Sequence, residues 1–534
     1  MPKPNRKSKV VQTVVQTTDA TLSLKERLAQ KRKAAKARKE AINYLSMSAG
    51  LAIVAAIILF AVAGIKGAIG GFIGIWAMLL SFKFPWLALH AFLIYMPFSG
   101  TVIYSLGGNN PLLQLAKDGI FIPALIGIVQ YCKQKRYSIV VPKELKTPTW
   151  LLLAYCVLVL LFVNGSQQVM GSGSDKPIAM GILGLKVLLG YLPLIPCAYY
   201  MMQRKQDVYW LLRITAIVVV ICCGLGFTQY MFLKTGRCQG TTGVGAELFK
   251  ASLEARCLVG GSLLYTPEQG VIRLPGTFVA PWQWGWFLIS SAFISFAVTF
   301  FDRNLLWKLI GILAMIGTIV MAVVSGQRIA LILVPLLIGV QLITTGQVAN
   351  LKRFLLIGIA LAFVLTFAMA SNPAVVQERW NSAVGRWSAA PPDAFIKEQF
   401  HQVSDGAGLL GRGLGRATNS ARALGETKLI ETYYPKLMFE IGPIGVLLFL
   451  GLVTTITKQC FKAYRSVKDQ TLRGYGAVFW TFVLFISYNT YYYPLDVDPV
   501  AVYYWFFAGV VLKLPELDKQ EIVSIEEPKT KRRR

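Results

Sequence analysis

From about residue 46 to residue 513 the chain alternates long apolar runs with short polar segments. A helix needs about 20 apolar residues to cross roughly 30 Å of hydrocarbon, and no soluble core calls for so many runs of that length. The pattern predicts an all-α polytopic membrane protein with about fourteen transmembrane helices. Seven spans fall near 46–64, 67–82, 85–98, 118–132, 149–164, 178–200 and 208–233. Seven more fall near 281–300, 305–324, 329–346, 353–370, 436–456, 474–490 and 499–513. The third is the shortest and carries Pro85 and His90.

Charge sets the orientation. The 534 residues carry a net charge of +29, and the basic residues gather between apolar runs rather than on one soluble domain. Residues 1–45 hold twelve Lys and Arg against three acids and contain no signal-peptide core, so both the N-terminus and the tail 514–534 are expected in the cytosol. Ser23 and Glu26 have capping-box spacing for a lysine-rich helix over Leu24–Tyr44. Anionic lipid headgroups are the expected partner of that helix, not nucleic acid. Alternate counting places Lys133, Lys135, Arg136, Arg204, Lys205, Arg303, Lys352, Arg353 and the run 458–473 inside, which satisfies the positive-inside rule.

The same count leaves two long loops outside, 234–280 and 371–435. They divide the chain into a leader (1–45), an N-terminal bundle (46–233), the first loop, a bundle over 281–370, the large loop, the C-terminal helices 436–513 and the tail. Cys238 and Cys257 share the first loop, where no cytosolic reductant opposes pairing, and a disulfide between them is expected. The other six cysteines lie in or beside apolar spans and read as small buried hydrophobes.

Most familiar chemistries are excluded. The two histidines, His90 and His401, are far apart and lack neighbouring ligands at metal spacing, so no metal site is expected. There is no Walker loop, Rossmann fingerprint or serine elbow, and GRGLG at 411–415 is a glycine-rich turn. The outer face offers arginine instead: Arg237, Arg256 and Arg273 in the first loop, and Arg379, Arg386, Arg412, Arg416 and Arg422 in the second. A guanidinium grips phosphate oxygens with a planar fork and stays charged at any physiological pH. Arg328, in SGQR at 325–328, lies between two spans with almost no loop, and Arg273 lies at an equivalent depth before Gly276. A charge so near hydrocarbon marks either a function or a side chain snorkelling at a tight turn.

Three segments carry a resemblance. RLPGTFVAP at 273–281, SGQRIALIL at 325–333 and ETYYPKLMFEIGPIG at 431–445 stand in the order found in the bacterial O-antigen ligase and polysaccharide polymerase superfamily. That pattern has an arginine before G-T-F, an S-x-x-R at an outer helix boundary, and a large loop running into E-x-G-x-x-G. The likeness covers roughly residues 260–455. It departs where ligases usually carry His-Asn, which here is Glu431 and Thr432, and where an asparagine often follows the proline, which here is Trp282. Glu431 is closer to many polymerases, and the lysine-rich leader is similar to that of the hormogonium-polysaccharide branch.

The resemblance implies a metal-independent glycosyltransferase with no cofactor, acting outside the plasma membrane on a polyprenyl pyrophosphate-linked glycan. Membrane lipids and other polysaccharide-assembly proteins are its expected partners. Arg273 and Arg328 would stabilise the departing diphosphate, with Arg412, Arg416 and His401 binding substrate, and Glu431 would take the acceptor proton, His401 standing in reserve. Glu440 is expected to be structural, paired with a buried group such as Lys186. A ligase, a flippase or transporter, and a non-catalytic scaffold remain alternative readings.

Overall fold

A computed structural model describes residues 24–107, 113, 116–170, 175–242, 248, 250–266, 271–350, 377, 381, 384–385, 388 and 391–530. The expected span 353–370 and both Arg379 and Arg386 lie outside the described residues, as does Ser23. Within them the regular structure is helical apart from one two-stranded ribbon and isolated bridges. Eight helical segments are long and apolar enough to cross a membrane, with shorter apolar helices at Gly67–Lys83, Pro85–Phe98 and Arg328–Thr344. The architecture is that of an all-α, multi-pass membrane protein.

The first helix, α1 (Leu24–Lys83), is broken at Gly64, whose φ of 64° no helix interior adopts. Its halves fold back on one another: Tyr44 Oη donates to the Leu79 carbonyl at 2.9 Å, and Trp76 Nε1 to Ser48 Oγ at 3.2 Å. The runs 46–64 and 67–82 are therefore two limbs of a hairpin. There follow α2 (Pro85–Tyr95), opened by a proline at its first position, α3 (Ala116–Lys135) and α4 (Lys146–Val159), which continues through a π-helical turn at Leu160–Asn164. Next come α5 (Pro177–Leu189), α6 (Leu194–Met201) and α7 (Lys205–Lys234).

After the ribbon β1 (Leu264–Thr266) and β2 (Val271–Arg273), the chain forms α8 (Pro281–Phe301), α9 (Leu305–Val324) and α10 (Arg328–Thr344). The C-terminal part holds α11 (Pro392–Ala407), α12 (Tyr433–Ser466), α13 (Gln470–Tyr488) and α14 (Val500–Thr530). The apolar windows of α8 and α14 are each 89% buried, against 11% for the window over Arg38–Ala61, so α8 and α14 form the centre and the first hairpin lies at the edge. A helix apolar on every side is a buried one. The small residues Ser290, Ser291 and Ser295 of α8 let neighbours approach closely.

The helices run between two faces. One gathers the loops: Thr101 N donates to the Thr277 carbonyl (3.1 Å), Lys176 N to Leu424 (2.8 Å), Leu274 N to Ser325 (3.0 Å) and Tyr433 N to Thr490 (2.7 Å). At the other, Arg213 grips Asp302 with two bonds of 2.8 and 2.9 Å, and Asp469 accepts from Lys205 (3.1 Å) and Arg303 (2.6 Å).

Candidate active site

The loop face is built on the ribbon. Cys238, just past the end of α7, is joined by a disulfide to Cys257, with Cα atoms 5.8 Å apart. A small apolar cluster of Leu233, Ala255, Leu263, Ile272 and Leu274 packs around the bridge. The bond closes a separation of 19 residues, which restricts the unfolded chain by about 3 kcal/mol. Cys238→Ser is expected to weaken this loop by roughly that amount, read as earlier proteolytic cleavage between residues 238 and 273 while the helical core stays intact.

The ribbon ends at Arg273, and its backbone docks on the SGQR turn. Leu274 N donates to the Ser325 carbonyl, and Gly326, at φ +71°, lies so close to β2 that an added Cβ would sit 1.9 Å from the Ile272 carbonyl oxygen. Only glycine fits there. The two segments therefore meet, and both Arg273 and Arg328 are exposed at their junction. The G-T-F turn that follows is an anchor: Thr277 is buried and its hydroxyl donates to the Pro97 carbonyl at 2.5 Å. By contrast, Arg256 spends its guanidinium on the Tyr104 carbonyl (2.8 Å), and Arg237 lies over the Phe232 ring (5.2 Å).

The first turns of α8 connect this junction to Glu431. Gly285 leaves room for the Gln327 side chain, and one residue on, Trp286 Nε1 donates to the Tyr492 carbonyl at 3.2 Å. Tyr491 bridges Thr432, next to Glu431. Gln399 of α11 accepts the Glu431 backbone N–H at 3.1 Å, and Phe395 of the same helix meets the Tyr491 ring edge-on at 6.0 Å. Tyr492 and Tyr493 are consecutive non-glycine residues at φ 56° and 32°, a strained pair that tends to persist where surroundings impose it. Burial pushes the Tyr493 phenol up, and the neighbouring Glu431 carboxylate adds to the rise. Tyr493 and Glu431 are both half-buried and near enough to one another to interact electrostatically.

The glycine-rich segment 411–415 is neither a phosphate loop nor a free turn. It is clamped against a break in α12, where Gly442 takes φ 69° and Pro443 follows. Proline has no N–H to give the Phe439 carbonyl, which accepts instead from Arg412 N (2.6 Å). The Glu440 carbonyl accepts from Gly413 N (3.1 Å), and that of Ile441 from Tyr155 Oη (3.0 Å). Asn164, in the π-helical turn, closes the clamp from the other side, accepting from Leu414 N (2.9 Å) and donating to the Leu414 carbonyl (3.0 Å).

This clamp fixes the remaining candidates. Arg412 is exposed, while its carbonyl accepts from Gln167 Nε2 at 2.8 Å. Arg416 donates to Gln167 Oε1 (3.1 and 3.0 Å) and Asp175 (2.7 Å), and it holds the Asp175 carboxyl below the usual carboxylate range. Its guanidinium ties the loop to the region before α5. His401 is exposed on α11. The expected pairing of Glu440 with Lys186 is corrected: Glu440 Oε1 accepts from Ala417 N (2.8 Å) and Thr418 Oγ1 (2.9 Å), and Lys186 pairs with Asp118 at 2.5 Å. Glu440 is a buried acceptor for the loop, which lies nearer than any helix-borne cation.

Sequence reasoning passed over two further ion pairs at this face. Lys436 pairs with Asp496, and Lys117 with Asp498, so the short segment between α13 and α14 is tied to both α12 and α3. Each lysine stands at the end of an apolar run and was absorbed into its boundary. The available signal was the ionisable residue itself, costly near hydrocarbon unless partnered. Among the described residues no group of three or more His, Cys, Asp and Glu side chains is placed to hold a metal ion. A scan against protein-family models and a search of curated proteins each give no match for the chain.

Proposed function

We propose that the protein transfers glycans outside the cytosol from a polyprenyl diphosphate-linked oligosaccharide, extending a polysaccharide by repeat units in the manner of the O-antigen polymerases. The observation that carries this reading is the docking of two distant segments, 271–274 and 325–328, which brings together the backbones that carry Arg273 and Arg328, both of them exposed. Two fixed cations so carried suit a leaving group whose negative charge grows as the bond breaks. The alternation of the described helices between a loop face and the opposite face supports a many-span topology with cytosolic termini and the loop face outside.

In the reaction, an acceptor hydroxyl oxygen attacks the anomeric carbon. The bond from that carbon to the diphosphate oxygen breaks, and the polyprenyl diphosphate leaves with the electron pair between Arg273 and Arg328. The hydroxyl proton passes to Glu431, whose carboxylate lies near Tyr493. Exposed Arg412 and His401 border the same face from the clamped loop and from α11.

Glu431→Gln tests the reading. Removing a general base costs about 10²- to 10⁴-fold, so cells carrying the variant should accumulate lipid-linked repeat units and lose long chains. Full activity with normal protein abundance moves the base to His401 and removes Glu431 from the mechanism. Thiol labelling of an Arg328→Cys variant from outside intact cells is expected to succeed; labelling only after permeabilisation places this position in the cytosol and ends the proposal.

A further inference from the structure

The 273–278 loop, the first turns of α8 and the SGQR turn pack into one contact region next to the two arginines. Three side chains in it carry donors with no hydrogen-bond partner: Trp284 Nε1, Ser325 Oγ and Gln327 Nε2. Trp284 and Ser325 are fully buried, and Gln327 is 8% exposed with its amide nitrogen shielded from solvent. Their proximity follows from the backbone. Leu274 N donates to the Ser325 carbonyl, Gly276 lies flat on the Trp284 ring, and Gly285 faces the Gln327 side chain.

Gln327 is also the N-cap residue of α10, a 17-residue helix, and its side chain makes no capping bond. An unpartnered buried donor is costly, and here three of them gather next to two exposed arginines. The first-turn N–H groups of α10 point the same way, since a helix N-terminus of this length favours negative charge.

We propose that Gln327 is a diphosphate-binding residue: its side-chain amide donates to an oxygen of the diphosphate held by Arg273 and Arg328. The inference rests on the glycosyl-transfer reading and adds a neutral donor to what would otherwise be a purely cationic site. An amide fixes the orientation of one oxygen, whereas guanidinium groups alone tolerate several.

The test uses the full-length protein in lipid nanodiscs, with undecaprenyl diphosphate as the probe and inorganic pyrophosphate as competitor. Gln327→Met keeps the volume and removes the donor. A hydrogen bond to a charged group corresponds to roughly a tenfold to hundredfold change in affinity, and Gln327→Met should lose that much for both probes. Its unliganded melting temperature should stay the same or rise, because an unsatisfied donor has been removed. Unchanged affinity overturns the inference and leaves the donors to bound water. A fall in melting temperature with affinity retained overturns it too, by giving the amide an internal role. Should Arg328→Ala abolish binding while Gln327→Met leaves it intact, the glycosyl-transfer reading survives and Gln327 alone is removed. Failure of the unaltered protein to bind undecaprenyl diphosphate ends both.

Discussion

Arg328→Ala is expected to slow glycan transfer by about 10²- to 10³-fold, the usual cost of losing one preorganised charge stabiliser in a reaction centre. The Arg273→Ala/Arg328→Ala double variant should lose more, though less than the product of the single losses, because groups that act on one leaving group are not additive. Initial rates with a purified lipid-linked donor measure both. Arg328→Lys separates charge from shape: a lysine keeps the positive charge and loses the fork, so a partial recovery is expected. Protein abundance in detergent extracts is measured beside activity for all of these; both arginines are exposed, and Arg273 is paired with Leu264 in the ribbon. Arg328→Ala with unaltered turnover at normal abundance would reduce Arg328 to a snorkelling side chain and remove the proposed chemistry.

The sequence made the helices legible because hydrocarbon imposes length and apolarity on each of them. It was less informative where polar groups interact across long separations. The runs 46–64 and 67–82 were separable by eye, and Gly64 does divide them. The clamp between residues 411–418 and 439–442 was not legible: it depends on carbonyls freed at the Gly442–Pro443 break, and nothing in GRGLG marks its N–H groups as their donors. Arg416 illustrates the same limit. In the sequence it is one more outer arginine, while in the fold its partners Gln167 and Asp175 come from a segment some 240 residues away. That distance decides whether a cation is a clasp or an open binding group. Lys436 and Asp496 are individually ordinary, and their meaning lies in the pairing of α12 with the segment after α13.

The break in α12 leads to the largest expected effect on stability. Gly442 stands at φ 69°, and a Cβ there would lie 2.2 Å from the Leu409 carbonyl oxygen. In Gly442→Ala two costs act together. Left-handed backbone disfavours an L side chain by about 1–2 kcal/mol, and the clash pushes residues 409–413 off the broken helix. The carbonyls of Phe439 and Glu440 then lose the N–H groups of Arg412 and Gly413, and each buried acceptor left unpaired costs about 1–3 kcal/mol more. Gly442→Ala is therefore expected to be severely destabilising, beyond roughly 4 kcal/mol, a size reached by few single substitutions. The six buried free cysteines give the readout, since each becomes reactive to a fluorogenic thiol probe only as its surroundings open. Glu440→Gln should be much milder, because the amide oxygen still accepts from Ala417 N and Thr418 Oγ1. If Gly442→Ala melts at the temperature of the unaltered protein, the loop does not depend on the helix break, and the clamped positions of Arg412 and Arg416 lose their physical cause.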